Sequence, residues 1–432
     1  MKKNQKEWQE VYFGDKNFIS IIDGDRGKNY PKENDFFDEE FCLFLNTKNV
    51  TKNGFNFQSN KYITEEKDSI LRNGKLNRYD IVMTTRGTIG NIAFYGDNIP
   101  YDNIRINSGM VIIRAEHNKI IPKYLYMLLK SKYIQDKISM LTTGTAQPQL
   151  PISDIIKINF LLPSLEEQKK IASILSSLDD KIELNNRMNK ILEEMAQTIF
   201  KEWFVNFNFP GEDGKPYKDS GGKMIESELG EIPEGWRVGT IGEYSKVKSG
   251  FAFKSSWWID KGIPVIKIQN VSSENINIEE CSFVDEDKYK AAEIFRVNAG
   301  DLLIAMTGAT LGKFAIVPKL KKDALVNQRV GKFFLGDDPI KKLPFIYSLL
   351  KLSSISNIIV SLGTGSAQPN ISPTDIENIK IVYPNEDILN KYNQYTEKIF
   401  IKIINARDEN HKLASIRDTL LPRLMSGEIR LK

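Results

Sequence analysis

Leu165-Glu166-Glu167-Gln168-Lys169-Lys170-Ile171-Ala172-Ser173-Ile174-Leu175 opens a stretch that runs to Phe204 without a Gly or Pro. Apolar residues recur along it at alternating steps of three and four, at Ile171, Leu175, Leu178, Ile182, Leu192, Ala196, Ile199 and Trp203. That spacing predicts one long helix with a coiled-coil seam, interrupted by Asn185 and Asn189. Pro163-Ser164 supplies a break and an N-cap, Glu167 stands three residues on, and Glu166 suits the positive helix end. At 1.5 Å per residue the helix spans roughly 60 Å. A seam of that length needs a second helix to cover it. The chain supplies one between Ile388 and Leu420, with a seam through Tyr392, Thr396, Ile399, Ile403, Ala406, Leu413 and Leu420 and with Asn410 inside it.

Outside these helices the two halves repeat each other, mostly at a spacing of 221 residues. Asn49-Val50 returns as Asn270-Val271, Asp80-Ile81-Val82 as Asp301-Leu302-Leu303, and Gly87 as Gly308. Thr88-Ile89-Gly90 returns as Thr310-Leu311-Gly312, one residue out of step. Thr143-Gly144-Thr145-Ala146-Gln147-Pro148 returns as Thr364-Gly365-Ser366-Ala367-Gln368-Pro369, and Pro163 as Pro384. The predicted plan is α/β: two similar globules separated by two long antiparallel coiled-coil helices in a pseudo-two-fold repeat. Residues 1–150 form the first globule, 151–209 the first helical region, 210–235 a connector, 236–372 the second globule and 373–432 the second helical region, with its long helix over about 386–421. If the helices pack antiparallel, the rod holds two non-identical reading heads apart, which suits a bipartite, asymmetric target.

The chain has 432 residues, 41% of them hydrophobic and 10% aromatic, enough for real cores. Cys42 and Cys281 cannot form a disulfide framework, and both lie in apolar surroundings where a buried free thiol is expected. No apolar run is long enough to cross a membrane, so no membrane partner and a cytoplasmic location are expected. Residues 1–150 hold 22 Lys and Arg against 18 Asp and Glu, residues 236–372 hold 18 against 13, and the helix 165–204 holds 6 against 8. Positive charge therefore sits in the globules rather than on the spine. A surplus of four or five is ordinary for blocks of this size and does not by itself decide for nucleic acid.

Motifs of chemistry are sparse. Gly308-Ala309-Thr310-Leu311-Gly312-Lys313 is one residue short of a phosphate-binding loop, and Phe314 stands where Ser or Thr should hold magnesium. There is no His-Glu-x-x-His, no metal-spaced cysteine pair and no nucleophile elbow, and His117 and His411 are the only imidazoles. No catalytic residue, cofactor or metal is expected, and the chain reads as non-catalytic.

Three stretches carry a family resemblance: Pro163-Ser164-Leu165-Glu166-Glu167-Gln168-Lys169-Lys170-Ile171-Ala172, Glu231-Ile232-Pro233-Glu234-Gly235-Trp236, and Leu420-Leu421-Pro422-Arg423-Leu424-Met425-Ser426-Gly427-Glu428-Ile429. With them the whole chain resembles the specificity subunits of type I restriction-modification systems. The resemblance implies two target-recognition domains alternating with two helical regions. It implies binding to double-stranded DNA, to two methyltransferase (modification) subunits and to motor-nuclease (restriction) subunits. The second helix departs from the pattern, opening Pro384-Asn385-Glu386-Asp387. A two-headed scaffold that binds proteins only is the rival reading.

The resemblance puts recognition on loops of the two globules. In the first these are Arg26, Lys28 and Asn29 beside glycines, then Thr85, Arg86 and Thr88 after a strand, and Asn107. In the second they are Lys254, Lys267, Gln269, Thr307, Thr310, Lys313 and the cluster Asn327-Gln328-Arg329. A solvated turn explains the 23–30 stretch equally well. The repeat pairs Lys267 and Gln269 with Asn46 and Lys48, so chemistry changes while the frame stays, although surface drift gives the same pattern. Arg86 has no basic counterpart at its repeat position, so sequence reading is expected of it and general contact of the threonines. Thr143, Gln147, Thr364 and Gln368 contact the DNA backbone, or else their loops are elbows set by Gly144, Pro148, Gly365 and Pro369. Phe200, Phe204, Ile404 and Leu421 lie off the main stripe and are the expected partner-binding residues.

Overall fold

The structure, a computed structural model, describes residues 8–142, 148–272, 275–363 and 369–431. It divides into two compact units, residues 1–181 with 413–432, and residues 182–412.

In the first unit an antiparallel sheet runs in the order Ile19–Asp23, Met110–Ala115, Ile81–Thr84, Ile92–Phe94. All four residues of Ile81–Thr84 are buried, which is why that segment reads as a continuous apolar run rather than an alternating one. A second small sheet centres on Cys42–Leu45, which pairs parallel with Ile104–Ile106. Helices Pro122–Lys130 and Lys132–Leu141 bring Tyr124, Leu125, Leu128, Ile134 and Ile138 into a core shared with Ile81, Met83, Val111 and Ile113. Ile171, Leu175, Leu424 and Met425 of the long helices join that core.

The second unit repeats this plan. Its first sheet runs Val247–Ser249, Val330–Phe333, Leu302–Ala305, Phe314–Ile316, and Ile263–Ile266 pairs parallel with Ala324–Val326 in its second. Asp80 and Asp301 play one part in both units, accepting from the backbone N–H of Asn77 and Asn298 and pairing with Arg114 and Lys332. Asn49 and Asn270 likewise each close a 3₁₀ turn, accepting at 2.9 Å from the backbone N–H of Asn46 and Lys267. These repeated residues hold the frame.

Both long helices form, Leu165–Phe204 and Glu386–Met425. Ser164 caps the first, accepting from the Glu167 N–H, but the Glu167 carboxylate does not return to close the capping box. In the second unit the helices pair antiparallel, because contacts join Asn185 to Asn410, Glu193 to Arg407 and Ala196 to Tyr392. The polar middle is a hydrogen-bonded layer: Asn185, fully buried, donates to Glu409 at 2.7 Å and to Asn410 at 2.9 Å, and Asn410 donates to Asn186. Such a layer fixes helix register at a cost in apolar contact. In the first unit the pairing continues through Asp179 and Arg417, at 2.7 Å. Both cysteines are buried and free, and burial pushes each thiol up to about 12.

Among the expected partner-binding residues, three prove to be core. Phe200 is 1% exposed, and Phe204 and Ile404 are also buried, packed with Phe345, Tyr392 and Trp236 inside the second unit. They lie off the helix seam because residues of the globule, Phe345 and Trp236, cover them together with Tyr392 of the second helix. Leu421 is half-buried against the core of the first unit.

Candidate nucleic-acid interface

The candidate surface in each unit is a backbone junction where three segments end together. In the first unit the Thr85 N–H donates to the Gly109 carbonyl at 2.8 Å, and the Leu150 N–H donates to the Thr85 carbonyl at 3.0 Å. Arg86 and Gln149 then form a bridge. In the second unit the Met306 N–H donates to the Arg329 carbonyl at 3.0 Å, Ile371 donates to Met306 at 3.0 Å, and Thr307 bridges Asn370. The frame is the same in both. A glycine lets a fourth segment approach each junction: a Cβ on Gly24 would lie 2.2 Å from the Asn107 carbonyl oxygen, and one on Gly250 would lie 2.1 Å from that of Val326. Gly87 and Gly308 turn the chain just beyond, at φ of 72° and 71°.

On this frame some expected residues are free and others are committed. Arg86, Thr88, Lys28, Gln269, Lys313, Gln328 and Arg329 are exposed. Arg26 is exposed too, but it pairs with Asp23 and donates to the Ser108 carbonyl. The side chain of Asn29 donates to Ile70, and that of Asn107 accepts from Gly109. Thr85 is buried, its hydroxyl donating to Gly109, so it supports the junction from within. Thr310 donates to the Ile268 carbonyl, and Asn327 accepts from the Arg329 N–H. Lys267 lies 3.7 Å from the Trp258 ring centroid and donates to Ser282, and burial lowers its pKa below the usual lysine range. Lys254 lies over Trp257. Thr143, Gln147, Thr364 and Gln368 fall outside the described residues.

The junctions open into clefts. In the second unit Thr307, Gln328, Arg329 and Asn370 line one of about 600 Å³. In the first, Lys48, Lys52, Gly87 and Thr88 line one of about 680 Å³. Lys48 and Lys52 were not among the expected contacts. The repeat register that sets Lys48 opposite Gln269 is the signal that identifies the first, and nothing in the sequence singles out Lys52. Among the described residues no group of three or more His, Cys, Asp or Glu could hold a metal ion. No single described helix is long and apolar enough to cross a membrane.

The second unit also leaves one helix face uncovered. Leu184, Met188, Ile191 and Met195, at steps of four, three and four, are 54%, 38%, 57% and 49% exposed. They form a stripe on the first long helix outside the seam.

Comparison with known proteins adds four findings. The family described as the type I restriction modification DNA specificity domain matches residues 5–194 and again 233–416. The type I restriction enzyme MjaIX specificity subunit of Methanocaldococcus jannaschii is 30% identical over 356 residues, covering 82% of this chain and 78% of the relative. The HindI specificity subunit of Haemophilus influenzae is 24% identical over 471 residues, covering 94% and 98%. Among solved structures, the type I restriction-modification S subunit from M. genitalium superposes with a TM-score of 0.58 at 16% identity, covering 98% of each chain, a likeness of fold.

Proposed function

This chain belongs to the type I restriction-modification DNA specificity family, and from that premise we infer that it selects the DNA on which methyltransferase and restriction partners act while catalysing neither reaction itself. The observation that carries this reading is the pair of junctions. Their backbone hydrogen bonds coincide while their exposed side chains differ, as two readers of unlike half-sites require. Residues 1–150 and 236–372 are assigned to recognition, 151–209 and 373–432 to the helical regions, and 210–235 to the connector. Exposed Arg86, Lys28, Gln269, Gln328 and Arg329 are assigned to DNA, and committed Thr85 and Asn107 to supporting the frame. Thr143, Gln147, Thr364 and Gln368 join the same assignment on sequence alone. No comparison favours the protein-only scaffold.

The stripe Leu184, Met188, Ile191, Met195 is assigned to a methyltransferase subunit, because an apolar face at helical spacing suits an apolar helix. Methylome sequencing of cells carrying this chain with its methyltransferase tests the reading. One bipartite motif is expected, and replacing residues 236–372 with the same block of a relative should change one half of it only. A change in both halves would count against separate readers.

A further inference from the structure

The structural equivalence of the two junctions reveals a match that the sequence repeat conceals. At a spacing of 221 Arg86 faces Thr307, and the second unit has no arginine to set against it. The hydrogen bonds nevertheless make Thr85 and Gly109 equivalent to Met306 and Arg329. The position beside Arg86 across the junction is therefore Gly109, and the position beside Thr307 is Arg329. In one unit the pair is arginine and glycine, and in the other it is threonine and arginine. The two positions are neighbours: a Cβ on Gly109 would lie 3.9 Å from the Cβ of Arg86, in ordinary contact, and 2.8 Å from Cγ2 of Thr47. The crowding neighbour is Thr47, so a side chain at position 109 would displace it, whereas Arg86 would only be touched, and in each junction one arginine stands at this pair of positions.

We propose that Arg86 and Arg329 are equivalent specificity-determining residues, each reading one guanine in its own half-site. Both side chains are exposed, and neither makes an ion pair or hydrogen bond with another described residue. That separates them from Arg26, Arg78, Arg105 and Arg114, whose guanidinium groups are held by Asp23, Asp102, Asp68 and Asp80. A free, forked donor on a strand end that is itself fixed by backbone bonds is what bidentate contact to guanine O6 and N7 requires. The same fork also fits a phosphate, so base reading is distinguished from backbone contact by which preferences a variant loses.

This inference rests on the DNA-selecting function assigned above. Its test is methylation by the full complex across a duplex library randomised in both half-sites, comparing the wild type with Arg86→Ala and Arg329→Ala. Each variant should lose discrimination at one guanine, about tenfold or more, in a different half-site, and keep every other preference. Uniform loss across the library, with all preferences kept and a shallower salt dependence, would make both phosphate contacts and overturn the proposal. Unaltered methylation by either variant would overturn it as well. A wild-type complex with no sequence preference would instead sink the underlying function. Unchanged melting of each variant guards against misfolding.

Discussion

Glu167 and Arg430, 263 residues apart in sequence, form a two-pronged ion pair, with Arg430 Nε 2.8 Å from Oε1 and its terminal nitrogen 3.0 Å from Oε2. Trp8 donates its indole N–H to the same carboxylate at 3.1 Å and lies under the guanidinium, and the Leu431 N–H donates as well. One buried carboxylate thus ties the start of the first long helix to segments near both ends of the first unit. Burial alone would raise its pKa, but Arg430, Trp8 and Leu431 hold it below the usual glutamate range.

A lowered carboxylate pKa contributes stability above the ordinary glutamate value and loses it as pH falls through the lowered one. Amide protection of Gln9–Tyr12 should therefore weaken as pH falls below about 4. Glu167→Gln should remove that dependence. Arg430→Ala should cost about 1.5–3 kcal/mol at neutral pH, read as urea midpoint and amide exchange in the first unit. Equal exchange in wild type and Arg430→Ala would show that the pair holds nothing in place.

Burial separates two sets of apolar residues on one helix. Phe200→Ala should cost about 3–5 kcal/mol and unfold much of the second unit, read by melting. Met188→Asp and Ile191→Asp should leave melting within about 0.5 kcal/mol of wild type and abolish co-purification of the methyltransferase subunit. Retained co-purification by the aspartate variants would move the partner site elsewhere.

Close approach at the junctions makes a third prediction. Gly24→Ala and Gly250→Ala each drive a methyl group against a backbone carbonyl that no side-chain rotation can relieve. Each should cost about 1–3 kcal/mol and weaken recognition of one half-site more than the other. Equal loss at both half-sites from either substitution would contradict separate reading.

The long helices and the repeat were legible because both are written as spacing: a seam at steps of three and four, and landmarks 221 residues apart. Asn185 and Asn410 were legible as interruptions of that seam, though not as partners of one another. The periodicity could not say what covers an off-stripe residue. Phe200 and Phe204 therefore read as partner surface, while the exposed Leu184 and Met188 went unmarked. Linear alignment also hid Arg329 as the counterpart of Arg86, because the exchange crosses between strands that only pairing brings together. Thr85 looked like a contact because its turn follows a strand and recurs in the second half, and only its bond to Gly109 turns it inward.

Sequence-selective DNA binding is most directly measured as a ratio. Once the methylated motif is known, the affinity of the complex of this chain with its methyltransferase should be compared for that duplex and for a scrambled one, at physiological salt. The ratio should be about 10³ or more, and it should collapse when either half-site is scrambled alone. Equal affinity for the two duplexes, with the complex intact, would contradict the account.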